Sequence, residues 1–204
     1  MAQEAEVHVE QKEERSVSQL FQVQDSNALL RTLVSVTAGA AFFVVLSIPP
    51  EPYVMVDLFK LGLWPALAVI STVGAIRGPL AGLLTGYLGA LLYGLLFFGT
   101  VVTVSLNPLA FGLMGFIVGL VRYDFGNGRS LAKLSLMSVI GFVFTVLVTI
   151  VVGLTVEVYA DLVALGFVLL PLLTVGVPTV FLLTPLFSWV WQSLVSRIPP
   201  ARRV

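Results

Sequence analysis

Apolar residues in this chain run in long blocks rather than alternating with polar ones, and the segments between the blocks carry most of the charge. A block of about 20 apolar residues is long enough to cross the hydrocarbon core of a bilayer as a helix. Six blocks reach or approach that length. The first is expected over about Ala28–Ser47, opened by Asp25, Ser26 and Asn27 as capping residues and closed by Ile48-Pro49-Pro50. A loop, EPYVMVDLFK, separates it from a short second helix over about Leu61–Ile76, where Trp64 and Pro65 suit the first turn. Arg77-Gly78-Pro79 marks the turn into the third, which continues to about Phe98. The fourth is expected near Ser105–Val121 and the fifth near Leu131–Leu154. The sixth starts about Leu165 and ends in the Trp189–Val195 region. Short second and fourth helices are compatible with tilt, thin edges or internal burial.

Composition agrees with this pattern. Hydrophobic residues make up 58% of the 204, charged residues 11%, and mean hydropathy is +1.02, whereas a soluble domain carries about 25% charged residues. Formal charge is zero, with 11 basic and 11 acidic residues. The total therefore gives no sign of nucleic-acid binding, but the distribution orients the chain. Six spans put every cation except Lys60 on one side, with Glu51, Asp57, Glu157 and Asp161 on the other. The positive-inside rule then places both termini in the cytoplasm. The expected class is an all-α membrane protein of the cell membrane: a compact bundle of six transmembrane helices. Residues 1–27 form an acidic, solvated cytoplasmic tail that does not read as a cleavable signal peptide; residues 28–197 form the membrane domain, and residues 198–204 a basic cytoplasmic end.

The absence of cysteine removes disulfides, thiolate-held clusters and thiol nucleophiles from consideration. The one histidine, His8, lies in the polar tail without companion ligands. No metal site, covalently bound cofactor or catalytic group is expected, and no ionisable residue falls in mid-span to serve a proton or sodium pump.

Glycine spacing is more informative. Gly78, Gly82 and Gly86 recur every fourth residue and Gly89 follows, and Gly115-x-x-x-Gly119 repeats the pattern in the fourth helix. Residues so spaced share a helix face. In lipid, a smooth face lets a neighbouring backbone approach closely, which substitutes for the missing hydrophobic drive. The first helix offers Ser35/Gly39 and Thr37/Ala41 on adjacent faces. Arg77 and Arg122 suit inner-face anchors whose charged heads reach the headgroups. Pro171, Pro178 and Pro185, spaced by seven, each invite a bend in the sixth helix.

Helices two to four also carry a family resemblance. Leu63-WPALAVISTVGAIRGPLAGLLTGYLGALLYGLLFF-Gly99 resembles the central segment of the substrate-binding S components of energy-coupling factor (ECF) transporters, with a Gly-Pro-Leu-Ala-Gly-like turn opening the third helix. Asn107-PLAFGLMGFIVGL-Val121 is similar to that family's fourth helix, and Pro178-TVFLLTPLF-Ser188 to its proline-broken last one. The resemblance implies a six-helix subunit that captures a vitamin-like small molecule on the outer side. It would work with a transmembrane coupling subunit and two cytoplasmic ATPases. It also implies an alanine-x-x-x-alanine partner contact in helix one. That motif is absent, so Thr37/Ala41 or Ser35/Gly39 would stand in.

For the ligand itself, polar groups at the outer ends are the candidates: Tyr53 and Asp57, Asn107, and Glu157, Tyr159 and Asp161. Asn107 can donate and accept at once, which suits a ring amide, but it can equally cap the helix begun by Pro108. Glu157 and Asp161, four apart, could meet a cationic ligand or simply form a wet loop face. Tyr87, Tyr93, Phe97 and Phe98 offer flat rings for a planar ligand, or ordinary core packing. The leading function is thus the capture subunit of an ATP-driven micronutrient importer. The alternative is a non-transporting subunit that anchors a larger membrane assembly.

Overall fold

The computed structural model describes residues 26–49, 53–56, 59–100, 107–155, 166 and 169–197. Within them lie six helices and one hairpin: α1 (Ser26–Ser47), β1 (Tyr53–Val56), β2 (Phe59–Gly62), α2 (Pro65–Arg77), α3 (Pro79–Phe98), α4 (Pro108–Gly119), α5 (Gly128–Thr155) and α6 (Leu170–Arg197). Four of these, α1, α3, α5 and α6, are long and apolar enough to cross a membrane. By contrast, α2 has 13 residues and α4 has 12. At 1.5 Å per residue these two rise only about 18–20 Å, short of a hydrocarbon core of about 30 Å.

Several expectations are corrected. Tyr53–Val56 and Phe59–Gly62 pair antiparallel, Tyr53 opposite Gly62, so the segment read as a loop holds a hairpin and the fold is not purely helical. Consequently α2 starts at Pro65, not Leu61, because proline at the first helical position needs no N–H partner. At the other end of the chain, α6 starts at Leu170 and runs on to Arg197. Pro171 therefore sits in its first turn, and only Pro178 and Pro185 interrupt the ladder. The first helix begins at Ser26, so Ser26 and Asn27 lie inside it rather than capping it. Asp25 lies outside the described residues.

Interhelical contacts fix the direction of every helix. A Cβ on Gly39 would meet Thr85, and one on Gly89 would meet Phe43, so α1 and α3 run parallel. Gly115 faces Gly82, while Gly119 faces Gly78 and Pro79, so α4 runs against α3. The Thr145 hydroxyl donates to the Ala110 carbonyl at 2.8 Å and Gly141 faces Met114, setting α5 against α4. Gly176 lies on the Phe142 ring, packing α6 on α5, and Thr179 bonds to Trp64 at the start of α2 with Thr184 and Ser188 buried beyond it, so α6 runs alongside α2 and against α5. This alternation collects Arg31, Arg77, Arg122, Arg129, Lys133 and Arg197 at one end of the bundle. The hairpin with Lys60 lies at the other.

The core is built around α2, whose residues Ala66–Thr72 are all buried and which packs on α1, α3, α4 and α6. The most extensive helix contact is α3 on α4. There the spacing of glycines does what their periodicity implies. A Cβ on Gly82 would strike the Gly115 carbonyl, one on Gly115 the Gly82 carbonyl, and one on Gly86 the Phe111 carbonyl. Backbone thus lies on backbone. Gly78 has a second reason to be glycine: φ 86 and ψ −179 let α2 reverse directly into α3, a conformation closed to residues with a Cβ.

The connection from α4 to α5 is held by its own polar side chains. Asp124 Oδ1 accepts from the Gly126 N–H, Asn127 Oδ1 accepts from the Arg129 N–H at 3.0 Å, and Ser130 Oγ accepts from the Asp124 N–H at 2.7 Å. The Tyr123 hydroxyl donates to the Val118 carbonyl at 2.9 Å. Burial pushes this phenol above its ordinary value of 10.0. A raised folded value means the unfolded chain loses the proton first. Its contribution is therefore whole below about pH 10 and is lost as pH rises from there toward the folded value. Thermal unfolding followed from about pH 8 to about pH 12 is expected to show that decline, and Tyr123→Phe to remove this residue's share of it.

Candidate functional site

Because α2 and α4 are short, the bundle has a step at the end away from the arginines. Gly86 lies level with Phe111, yet α3 continues to Phe98. Thr145 lies level with Ala110, yet α5 continues to Thr155. Thr179 lies level with Trp64, yet α6 starts at Leu170. At 1.5 Å per residue, α3, α5 and α6 therefore run on for about 18, 15 and 14 Å past those levels.

Aromatic rings form the floor of this step. Trp64 has its ring centroid 6.0 Å from Phe43, 6.3 Å from Tyr93 and 6.4 Å from Phe111. Phe43 and Phe111 are fully buried and Trp64 is 8% exposed, whereas Tyr93 is half-buried. From Tyr93 the rings continue up α3, to Phe97 at 4.8 Å and Phe98 at 5.7 Å, both exposed. Four helical elements thus converge on one ring cluster, at separations and tilts at which aromatic quadrupoles attract.

The helix starts beneath the rings hold hydrogen bonds of their own. Thr179 Oγ1 accepts from the Trp64 N–H at 2.7 Å and donates to the Val175 carbonyl at 2.7 Å, tying the start of α2 to α6. Asn107, buried, accepts from the N–H groups of Leu109 at 3.0 Å and Ala110 at 3.4 Å. Its carbonyl is thus committed to capping α4, one of the two roles its position beside Pro108 allows. With the Leu109 and Ala110 N–H groups occupied, the start of α4 is not arranged as an anion cradle. The described side chains of the floor are apolar or neutral, which suits a flat, uncharged ring system.

Of the remaining sequence candidates, Tyr53 opens β1, at the step end, where β2 packs on α6. Asp57, Glu157, Tyr159 and Asp161 lie outside the described residues. Tyr93, Phe97 and Phe98 do come together. Tyr87 does not join them; it packs beside Gly112, where a Cβ would lie 3.5 Å from it. Phe43, Trp64 and Phe111 escaped the sequence reading as site residues. The available signal was the run of small residues beside them, since Gly86 and Gly89 face Phe111 and Phe43.

The small residues of α1 also divide. Gly39 is buried against Thr85 and Val73, and the Ser35 hydroxyl returns to the Arg31 carbonyl at 2.8 Å. Thr37, Ala38 and Ala41 are exposed along the opposite side of the helix. Arg77 ends α2 and Arg122 follows α4, both at the cation-rich end.

A multi-pass helical membrane protein with an aromatic, uncharged ring cluster at the step end is the class these features define. Residues 27–188 match the family described as the ECF-type riboflavin transporter, S component, and the chain belongs to that family. It is a membrane-embedded substrate-capture subunit of an ATP-driven micronutrient importer, and the family associates with other ECF transporter subunits. The resemblance carried by helices two to four therefore holds, and the anchoring alternative loses its ground. No solved structure matches the chain.

Proposed function

We propose that this subunit captures riboflavin, or a flavin of the same ring system, from outside the cell. The observation that carries the reading is the Phe43–Trp64–Tyr93–Phe111 cluster at the step, in a chain of the riboflavin S-component family. A tricyclic, uncharged ring is what flat aromatic side chains recognise best, because stacking needs area and no counter-charge. Tyr53 in β1, Asp57 between the two strands in sequence, and Glu157, Tyr159 and Asp161 between α5 and α6 in sequence are the proposed sources of polar contacts to the ligand's ring edge and side chain. Asn107 reaches the ligand only through its amide nitrogen, its oxygen being the helix cap.

In this reading all six helices pass through the membrane domain. The short α2 and α4 complete their crossing inside protein, where non-helical backbone is tolerated. The cation-rich end and both termini face the cytoplasm, and the step faces out. A transmembrane coupling subunit packs on the exposed Thr37–Ala38–Ala41 strip of α1, because small residues let a partner helix approach, and two cytoplasmic ATPases drive the cycle through it.

The test is direct. Protein purified in nanodiscs and stripped of ligand is titrated with riboflavin, and saturable binding with quenching of flavin fluorescence is expected. Folded protein that leaves flavin emission unchanged and retains none on a desalting column would refute the assignment. Topology is checked separately, since the chain has no cysteine of its own. Lys60→Cys is expected to react with an impermeant maleimide on intact cells, and Asn127→Cys only after lysis.

A further inference from the structure

A hydroxyl buried in a helix ordinarily donates to the carbonyl one turn back, and Thr32, Ser47, Ser135, Thr145 and Thr179 do so here. Thr184 and Ser188 of α6 do not. Both are fully buried, and neither hydroxyl has a hydrogen-bond partner among the described residues. Four apart, they share one face. The principal neighbours of α6 are α2, α5 and β2, and β2 lies at the opposite end, so this face looks onto α2 and α5. Those helices bring unpaired buried hydroxyls of their own: Ser71 and Thr72 on α2, and Ser138 on α5.

The two halves of α6 are held very differently. Up to Val180 its buried residues are Val175, Gly176, Thr179 and Val180, and they include the contact of Gly176 with Phe142 and the hydrogen bond from Trp64. Beyond Val180 the only buried residues are Thr184 and Ser188. No buried apolar side chain anchors that half, and Trp189, Val190, Trp191 and Leu194 are all exposed. Pro178 and Pro185 also lack the N–H groups that would bond the carbonyls of Thr174 and Phe181, so the ladder is cut on both sides of the junction.

We propose that α6 beyond Val180 is a hinged segment that swings away from α2 and α5 at the cation-rich end while its first half stays fixed beside the aromatic site. An unpaired hydroxyl is worse in a dry contact than facing water or a partner. The closed position is thus weakly held by the residues that line it, and opening releases them. The inference is independent of the ligand's identity.

Hydrogen exchange on the full chain in nanodiscs tests it. Amides of residues 182–196 are expected to exchange faster than those of residues 172–180. Fraying of a helix end would do the same, so the variants decide. Thr184→Val and Ser188→Ala, which remove hydroxyls that gain nothing in the closed state, are expected to slow exchange in the segment about tenfold without lowering Tm. Pro185→Ala, which restores an N–H to the Phe181 carbonyl, is expected to slow it as well. Faster or unchanged exchange in the hydroxyl variants, or a lower Tm, would mean that the hydroxyls hold the helix shut, and would overturn the proposal. Unchanged exchange in Pro185→Ala would overturn the hinge itself.

Discussion

Gly115→Ala is expected to pull α3 and α4 apart. Its new methyl group would land on the carbonyl carbon and oxygen of Gly82, and a Cβ on Gly74 already has the Gly115 carbonyl as its nearest neighbour. Such contacts cannot be relieved by a rotamer change, because the obstacle is backbone on every side. Overpacking a core costs about 1–3 kcal/mol and occasionally more, and this site belongs at the upper end. Lipid sharpens the effect. Separated helices lose little by facing acyl chains, so the pair is held by the closeness of fit that the methyl destroys. Gly82→Ala is expected to do the same, and the double variant to cost less than the sum, since both substitutions break one contact. Gly128→Ala, where a Cβ meets nothing, is expected to stay within about 0.5 kcal/mol of the parent. Thermal unfolding in detergent separates these outcomes. A Gly115→Ala protein as stable as Gly128→Ala would mean that the α3–α4 packing is not what holds the bundle.

That contact was readable in the sequence because helical periodicity is a local property: glycines four apart must share a face whatever they meet. The charge segregation was readable for a similar reason, since Arg77, Arg122 and Arg129 lie at turns between apolar blocks and alternate helices return to one end. The hairpin was not. Tyr53–Val56 and Phe59–Gly62 are four residues each, too short to set an apolar rhythm of their own, and the start of α2 was misplaced along with them. Pro65 held the signal, as a proline at N1 marks a helix start more sharply than the apolar residues before it. The aromatic floor was half visible. Tyr93, Phe97 and Phe98 lie on one helix, so spacing could group them, but Phe43, Trp64 and Phe111 reach them from α1, from the residue preceding α2 and from α4. Only tertiary register brings those together, and one sequence does not contain it. The same limit hid the difference between Gly39, which packs inward, and Ala41, which faces out.

In the proposed reading Trp64 is where fold and ligand capture meet, and Trp64→Ala is expected to damage both. Removing a buried Trp costs about 3–5 kcal/mol in soluble cores; here the packing share of that cost remains, because the ring has contacts with Phe43, Tyr93 and Phe111 to lose. A lower Tm alone would not reveal a role in binding. Trp64→Phe discriminates, since it keeps an apolar ring in place, and the N–H that donates to Thr179 belongs to the backbone and survives the change. Its Tm is expected to fall by only a few degrees, a loss of about 1 kcal/mol in a domain of this size. A ring pair contributes about 0.5–1.5 kcal/mol beyond burial, so a smaller and displaced ring should weaken riboflavin binding about three- to tenfold. Tyr93→Phe keeps the stack and is expected to hold affinity within about threefold, whereas Tyr93→Ala opens the rim and should follow Trp64→Phe or exceed it. If Trp64→Phe and Tyr93→Ala both bind riboflavin as the parent does, the rings serve only as core, and the ligand must be held by other residues.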